Sequence, residues 1–134
     1  MSQVKSFTIG GVTYNAAMAV AVDQDKLLSL LTAPVMDRAL GAAKIGQDLD
    51  NSILVPMFMA MPSALKAQVA SILVGRVVIH GNSTAVTVED FGGRMVQYNT
   101  LLGELLRWNL SDFFDWLPGV LNDARAENPQ SPVP

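Results

Sequence analysis

The repeat of large apolar residues between Phe91 and Leu105 constrains this chain more than any other feature. Phe91, Met95, Tyr98, Leu102 and Leu105 are spaced by 4, 3, 4 and 3 residues. That spacing marks one face of an α-helix, so an amphipathic helix is predicted here, with its apolar face turned to a core. Glu89 and Asp90 place negative charge where a helix start favours it. Gly92 and Gly93 weaken the first turn by roughly 1 kcal/mol each relative to alanine. They read as flexible, hinge-like glycines, and neither their spacing nor that of Gly10-Gly11 matches a phosphate loop or dinucleotide fingerprint.

Helices need a partner layer, and the rest of the chain supplies candidates. Residues 6–14 alternate as a hairpin, with Phe7 and Ile9 on one arm, Gly10-Gly11 at the turn, and Val12 and Tyr14 on the other. Paired glycines tolerate the positive φ of a two-residue hairpin turn. Asp23 is a candidate cap for a helix through Leu27, Leu28, Leu30 and Leu31. Pro34 is expected to interrupt that helix or to open another from Val35 to about Lys44. Residues 46–51 (GQDLDN) read as a loop. Ser63 is a plausible cap for a helix with Leu65, Val69, Ile72 and Leu73 on one face, closed by Gly75. Val77-Val78-Ile79 and Ala85-Val86-Thr87-Val88 form a candidate second hairpin around residues 80–84. After a break at residues 109–112 (NLSD), Phe113, Trp116, Leu117, Val120 and Leu121 outline a last helix, kinked or divided by Pro118. The expectation is an α+β, helix-dominated small domain with an N-terminal β-hairpin and a second short hairpin. It would cover residues 1–127 as one globular unit, with residues 128–134 (NPQSPVP) as a disordered proline-rich tail.

Composition narrows the function. Of the 134 residues, 16% are charged, below the roughly 25% of an average domain, so more apolar surface is available to a partner. The net charge is −3 and no basic stripe exists, which argues against nucleic acid. Residues 51–65 (NSILVPMFMAMPSAL) are uncharged but too short, and too proline-rich, for a membrane span. The first residues lack an apolar signal region, so a soluble cytoplasmic protein is expected. There is no cysteine, which removes disulfides and thiolate metal sites. His80 is the sole histidine and falls in a predicted turn; with no second imidazole and no nucleophile elbow, neither zinc nor a catalytic triad is expected. The pairs Asp23/Asp25 and Asp48/Asp50 lack the spacing of a calcium loop and read as caps and solvated acids. No acid–base pair or nucleophile stands at a usable spacing, so no enzyme and no cofactor is expected.

Two stretches suit a protein partner. Met57, Phe58, Met59 and Met61 are either ordinary core filling or a malleable groove for a partner helix, since methionine adapts its shape to what it touches. In residues 110–117, Phe113, Trp116 and Leu117 share a face and are expected in the core. Phe114 points about 100° away, where an aromatic beside acids suits an interface. Met57, Phe58, Met59, Met61, Trp108 and Phe114 are therefore the candidate partner-binding residues.

Two segments also carry a resemblance. The opening Lys5-Ser6-Phe7-Thr8-Ile9-Gly10-Gly11-Val12-Thr13-Tyr14 is a short hairpin entering a helical body. The block from Tyr98 to Phe114 ends a helix in Trp108-Asn109 and then runs into Asp112-Phe113-Phe114. Together, over about a fifth of the chain, they resemble the tail assembly chaperones of long-tailed bacteriophages. The resemblance implies a small helical protein of the host cytoplasm that coats the tape-measure protein, delivers it to tail-tube subunits and departs. A homo-oligomer is a separate expectation for the chain. A longer, frameshifted form is often made in that group. Two other binding roles fit a small protein without chemistry: a structural component of the tail or baseplate, and an inhibitor that occupies a host or rival-phage protein.

Overall fold

The computed structural model describes residues 3–127, with side chains placed through Asn122. The tail expected at residues 128–134 lies outside the described residues. Strands β1 (Val4–Ile9) and β2 (Val12–Ala17) form the expected hairpin, in register from Ile9 opposite Val12 to Val4 opposite Ala17. Gly10 and Gly11 have φ of 59° and 80°, the paired positive values that only glycine adopts cheaply. Helices α1 (Ala21–Lys44), α2 (Asn51–Met59) and α3 (Ser63–Val74) follow, then β3 (Val77–Ile79), α4 (Met95–Asn109) and α5 (Ser111–Glu127). The fold is α+β and helix-dominated, with a three-stranded antiparallel sheet ordered β1-β2-β3.

Several local expectations change. The second hairpin closes only at one bridge, Val78 with Ala85, and at the Val86 N–H that donates to the Val77 carbonyl. Its first arm is β3, which pairs instead with β2, because Val77 and Ile79 find an apolar layer there beside Ala16 and Tyr14. Residues 88–91 turn into one 3₁₀ segment, held by a reciprocal cap between Thr87 and Asp90. Gly92-Gly93 then makes a tight turn, with Gly93 at φ 78° and the Arg94 N–H donating to the Phe91 carbonyl at 2.7 Å. They lie outside the helix, and α4 starts later than expected. Met95 is consequently exposed, and Phe91 reaches the core from outside the helix, between Tyr14 and Tyr98, with ring centroids 5.7 and 5.2 Å away.

Pro34 does not interrupt α1. Its ring removes one backbone donor, but Leu27, Leu31, Val35, Ala39 and Ala42 form an unbroken buried stripe on both sides of it. Burying those side chains, at roughly 1.5–3 kcal/mol for each large one, outweighs a proline defect of about 3 kcal/mol. Asp23 does not cap this helix; Val20 occupies the cap position, and Asp23 lies in the first turn, 4.0 Å from Arg76. The loop before α2 ends in a true cap, Asp50, whose carboxylate accepts from the Ser52 N–H at 2.9 Å. At the start of α3, Pro62 rather than Ser63 holds the cap position.

Helix α4 is the centre of the molecule. Tyr98, Leu101, Leu102, Leu105 and Leu106 are buried on more than one side of it, because the sheet, α2 and α3 all pack against it. The buried Gly103 sets the approach of α2. A Cβ there would stand 3.0 Å from Asn51 Oδ1 and 3.7 Å from Val55 Cγ2. Two asparagines complete the interior. Asn99 accepts from Lys66 Nζ at 2.6 Å and donates to the Met95 carbonyl. Asn109 accepts from the Ala19 N–H at 2.8 Å and donates to the Leu105 carbonyl at 2.9 Å. Burial pushes the Lys66 ammonium below its ordinary pKa and the Tyr98 phenol above its own.

Candidate functional site

The methionine-rich stretch resolves into core. Pro56 is accommodated in α2 and Pro62 starts α3, so the run folds as one helix, a short connection and the next helix. Leu54, Met57 and Phe58 recur on the inner face of α2, and Met61 follows in the connection; all four are buried. Met57, Phe58 and Met61 therefore cannot touch a partner while the domain stays folded, which corrects their assignment to a binding groove. The reason is the four-residue inner repeat 54/57/58/61, which turns one face of α2 into the core it shares with α4. Met59, at the end of α2, is 47% exposed and stands apart from them.

The two aromatic candidates have different surroundings. Trp108 is half-buried and meets Phe7 edge to face, with ring centroids 5.8 Å apart. This contact joins the hairpin to the end of α4, so the two segments that carry the family resemblance form one packed unit. Asn109 adds to the same junction through its bond to Ala19. Phe114 is also half-buried, and it lines a cleft of about 470 Å³.

That cleft is a concave site built from four segments of the chain. Its walls are the end of α1, the loop before α2, the last turn of α4 and the first half of α5. Ala39 and Leu117 are buried in its floor, with Leu49, Phe114 and Leu121 half-buried around them. Asp48, Asp50, Asp115 and Arg107 supply charge to it. The Ser52 hydroxyl and N–H hold the Asp50 carboxyl below its usual pKa, with a smaller contribution from the Arg107 charge. Two glycine and proline positions help to shape the rim: Gly46 has φ 70°, ending the α1 turn, and Pro118 leaves the Phe114 carbonyl without its helical donor.

Helix α5 reverses one expectation about the aromatics. Its inner stripe is Phe114, Leu117 and Leu121, spaced by 3 and 4 residues and continuing from the buried Leu110 just before the helix. Trp116, expected in the core with Phe113 and Leu117, is 57% exposed. It stacks obliquely on the half-buried Phe113 at 5.9 Å, so the outer face of α5 presents an aromatic pair beside the cleft wall. Both readings of residues 113–117 obey helical spacing, and the packing of α1 and α4 against α5 selects between them. The other singled-out residues gather no site. His80 is exposed at the end of β3, with Nδ1 3.1 Å from Asn15 Nδ2. Among the described residues, no group of three or more His, Asp or Glu side chains could hold a metal ion, and no helix is long and apolar enough to cross a membrane. Compared with models of protein families, with curated proteins and with solved structures, the chain matches none of them.

Proposed function

We propose that this is a non-enzymatic, protein-binding protein of the tail assembly chaperone kind, acting in the host cytoplasm on a tape-measure segment. The observation that carries the reading is the cleft beside α5, which combines a leucine and phenylalanine floor with three aspartates at its edges. A tape measure is a long helical chain with apolar stretches that aggregate when bare. An amphipathic segment of such a chain can place its apolar residues on Phe114 and Leu121 and its lysines or arginines against Asp48, Asp50 and Asp115. Trp116 and Phe113 extend this surface along α5. The packing of Phe7 on Trp108 also supports the reading, since it makes one unit of the two segments that resemble the family.

The test is co-expression with the long helical tape-measure candidate, followed by soluble yield and co-elution. The expected result is a soluble complex with several copies of this protein, lost in Phe114→Glu and in Leu121→Lys while both variants keep the parental circular dichroism. A partner that stays insoluble, with nothing co-eluting, overturns the proposal. Retention of the protein in purified particles would assign it to the tail structure instead.

A further inference from the structure

We propose that β1 is a self-association edge, pairing antiparallel with β1 of a second copy to form a continuous six-stranded sheet. The hydrogen-bond pattern of the hairpin identifies the open groups. Ile9 and Val12 flank a two-residue turn, so they form a hydrogen-bonded pair, and the alternation continues through Phe7 with Tyr14 and Lys5 with Ala16. The Met18 N–H donating to the Gln3 carbonyl at 2.8 Å is the next bond in that series. Lys5, Phe7 and Ile9 thus direct their backbone groups to β2. Val4, Ser6 and Thr8 direct theirs outward, where no strand lies among the described residues, since the sheet order makes β1 an edge.

The same edge borders a cleft of about 520 Å³ between β1 and α4, with Lys5, Phe7 and Ile9 on one side and Thr100 and Glu104 on the other. Lysine on an edge strand ordinarily discourages pairing. Here a carboxylate shares its cleft. Among the described residues neither Lys5 nor Glu104 takes part in an ion pair: Lys5 lies over the Phe7 ring at 5.3 Å, and Glu104 accepts from Asn51. A two-fold axis through Ser6 sets Ser6 opposite its own copy and Val4 opposite Thr8, which satisfies the outward backbone groups of all three residues, about six hydrogen bonds in two-per-pair antiparallel pairing. Lys5 of each copy then lies across from Phe7 of the other, on the face that carries α4, within the cleft that holds the other copy's Glu104. This charge complementarity, repeated by the symmetry, is what selects a second copy of this chain over a foreign strand.

The experiment uses the purified full chain alone, so it is independent of the tape-measure reading. Sedimentation velocity over a wide concentration range is expected to show a monomer–dimer equilibrium. Ser6→Pro removes an outward N–H and the Ser6 hydroxyl bond to Asn15 while leaving the backbone bonds to β2, and is expected to abolish the dimer. Lys5→Glu and Glu104→Lys each bring like charges together and are expected to weaken dimerisation at least about tenfold. Mixing these two single variants restores opposite charges at both symmetric contacts, so the mixture is expected to form a heterodimer as tight as the parent dimer. Glu104→Gln, milder toward the Asn51 contact, should give an intermediate affinity, and the thermal transition of each monomer verifies folding. A parent that is monomeric up to millimolar concentration overturns the proposal. So does a Ser6→Pro variant that dimerises like the parent, or a mixture no tighter than its components.

Discussion

Replacing Asn109 with alanine tests the account of how the hairpin is fastened to the helical body. The Asn109 side chain is buried and makes two hydrogen bonds, accepting from the Ala19 N–H at 2.8 Å and donating to the Leu105 carbonyl at 2.9 Å. Leu105 Cα lies in a regular helix, so its carbonyl keeps a helical donor after the substitution. Ala19 is 7% exposed and follows the end of β2, where its N–H has no strand partner to fall back on. Leaving that donor buried and unsatisfied costs about 1–3 kcal/mol, and the lost packing of the amide adds to it. The expected loss is therefore about 2–3 kcal/mol, out of a total of about 5–15 kcal/mol for a domain. For a chain of this size that corresponds to a fall in Tm of roughly 6–15 °C. Urea unfolding followed by circular dichroism measures the loss directly, with Gln24→Ala as the comparison. Gln24 Nε2 donates to the Asn109 carbonyl at 3.2 Å from a half-buried position, and removing it should cost under about 1 kcal/mol. Equal losses in the two variants, or an Asn109→Ala variant within about 0.5 kcal/mol of the parent, would refute the reasoning.

Phe91→Ala should cost about 3–5 kcal/mol in the same assay, because the ring is fully buried between Tyr14 and Tyr98 and its loss leaves a cavity linking the sheet to α4. Gly103→Ala should be close to neutral, with a helix-propensity gain of about 1 kcal/mol offset by displacement of Asn51; Gly103→Leu should lose about 1–3 kcal/mol by forcing α2 off α4, and a stable leucine variant would contradict the close approach. Asp50 predicts an acid dependence. Its folded pKa is lowered by Ser52, so its contribution is fully present above the unfolded aspartate value of about 3.9 and is lost as pH falls through the lower folded value. Denaturant midpoints measured downward from pH 5 should therefore drop more steeply for the parent than for Asp50→Asn, which keeps a capping oxygen without the titration; parallel curves would exclude the cap as the source.

The hairpin and its turn were legible at residue level, because alternation and paired glycines act locally. The helical body was legible too, since the spacing of Tyr98, Leu102 and Leu105 reflects burial whatever the helix packs on. Proline was one source of error in placing helix ends. Pro34 and Pro56 are local defects, and whether a helix continues through one depends on how much apolar surface it buries on either side. The candidate binding residues divided for a related reason. Met57, Phe58 and Met61 carry the same side-chain chemistry whether they line a groove or fill a core.

Residue spacing and turn chemistry, which depend on neighbours within about four positions, were enough to establish an α+β chain with an N-terminal hairpin and a central leucine-rich helix. The partner of each apolar face depends instead on elements far apart in the chain. The packing of α2 on α4 buried the methionines, and the packing of α5 on α1 and α4 turned Phe114 into a cleft and left Trp116 outside. The pairing of β3 with β2 left β1 as the open edge. Helical periodicity gives the direction of a face only relative to its own axis; tertiary packing establishes which faces meet and which remain available to another molecule.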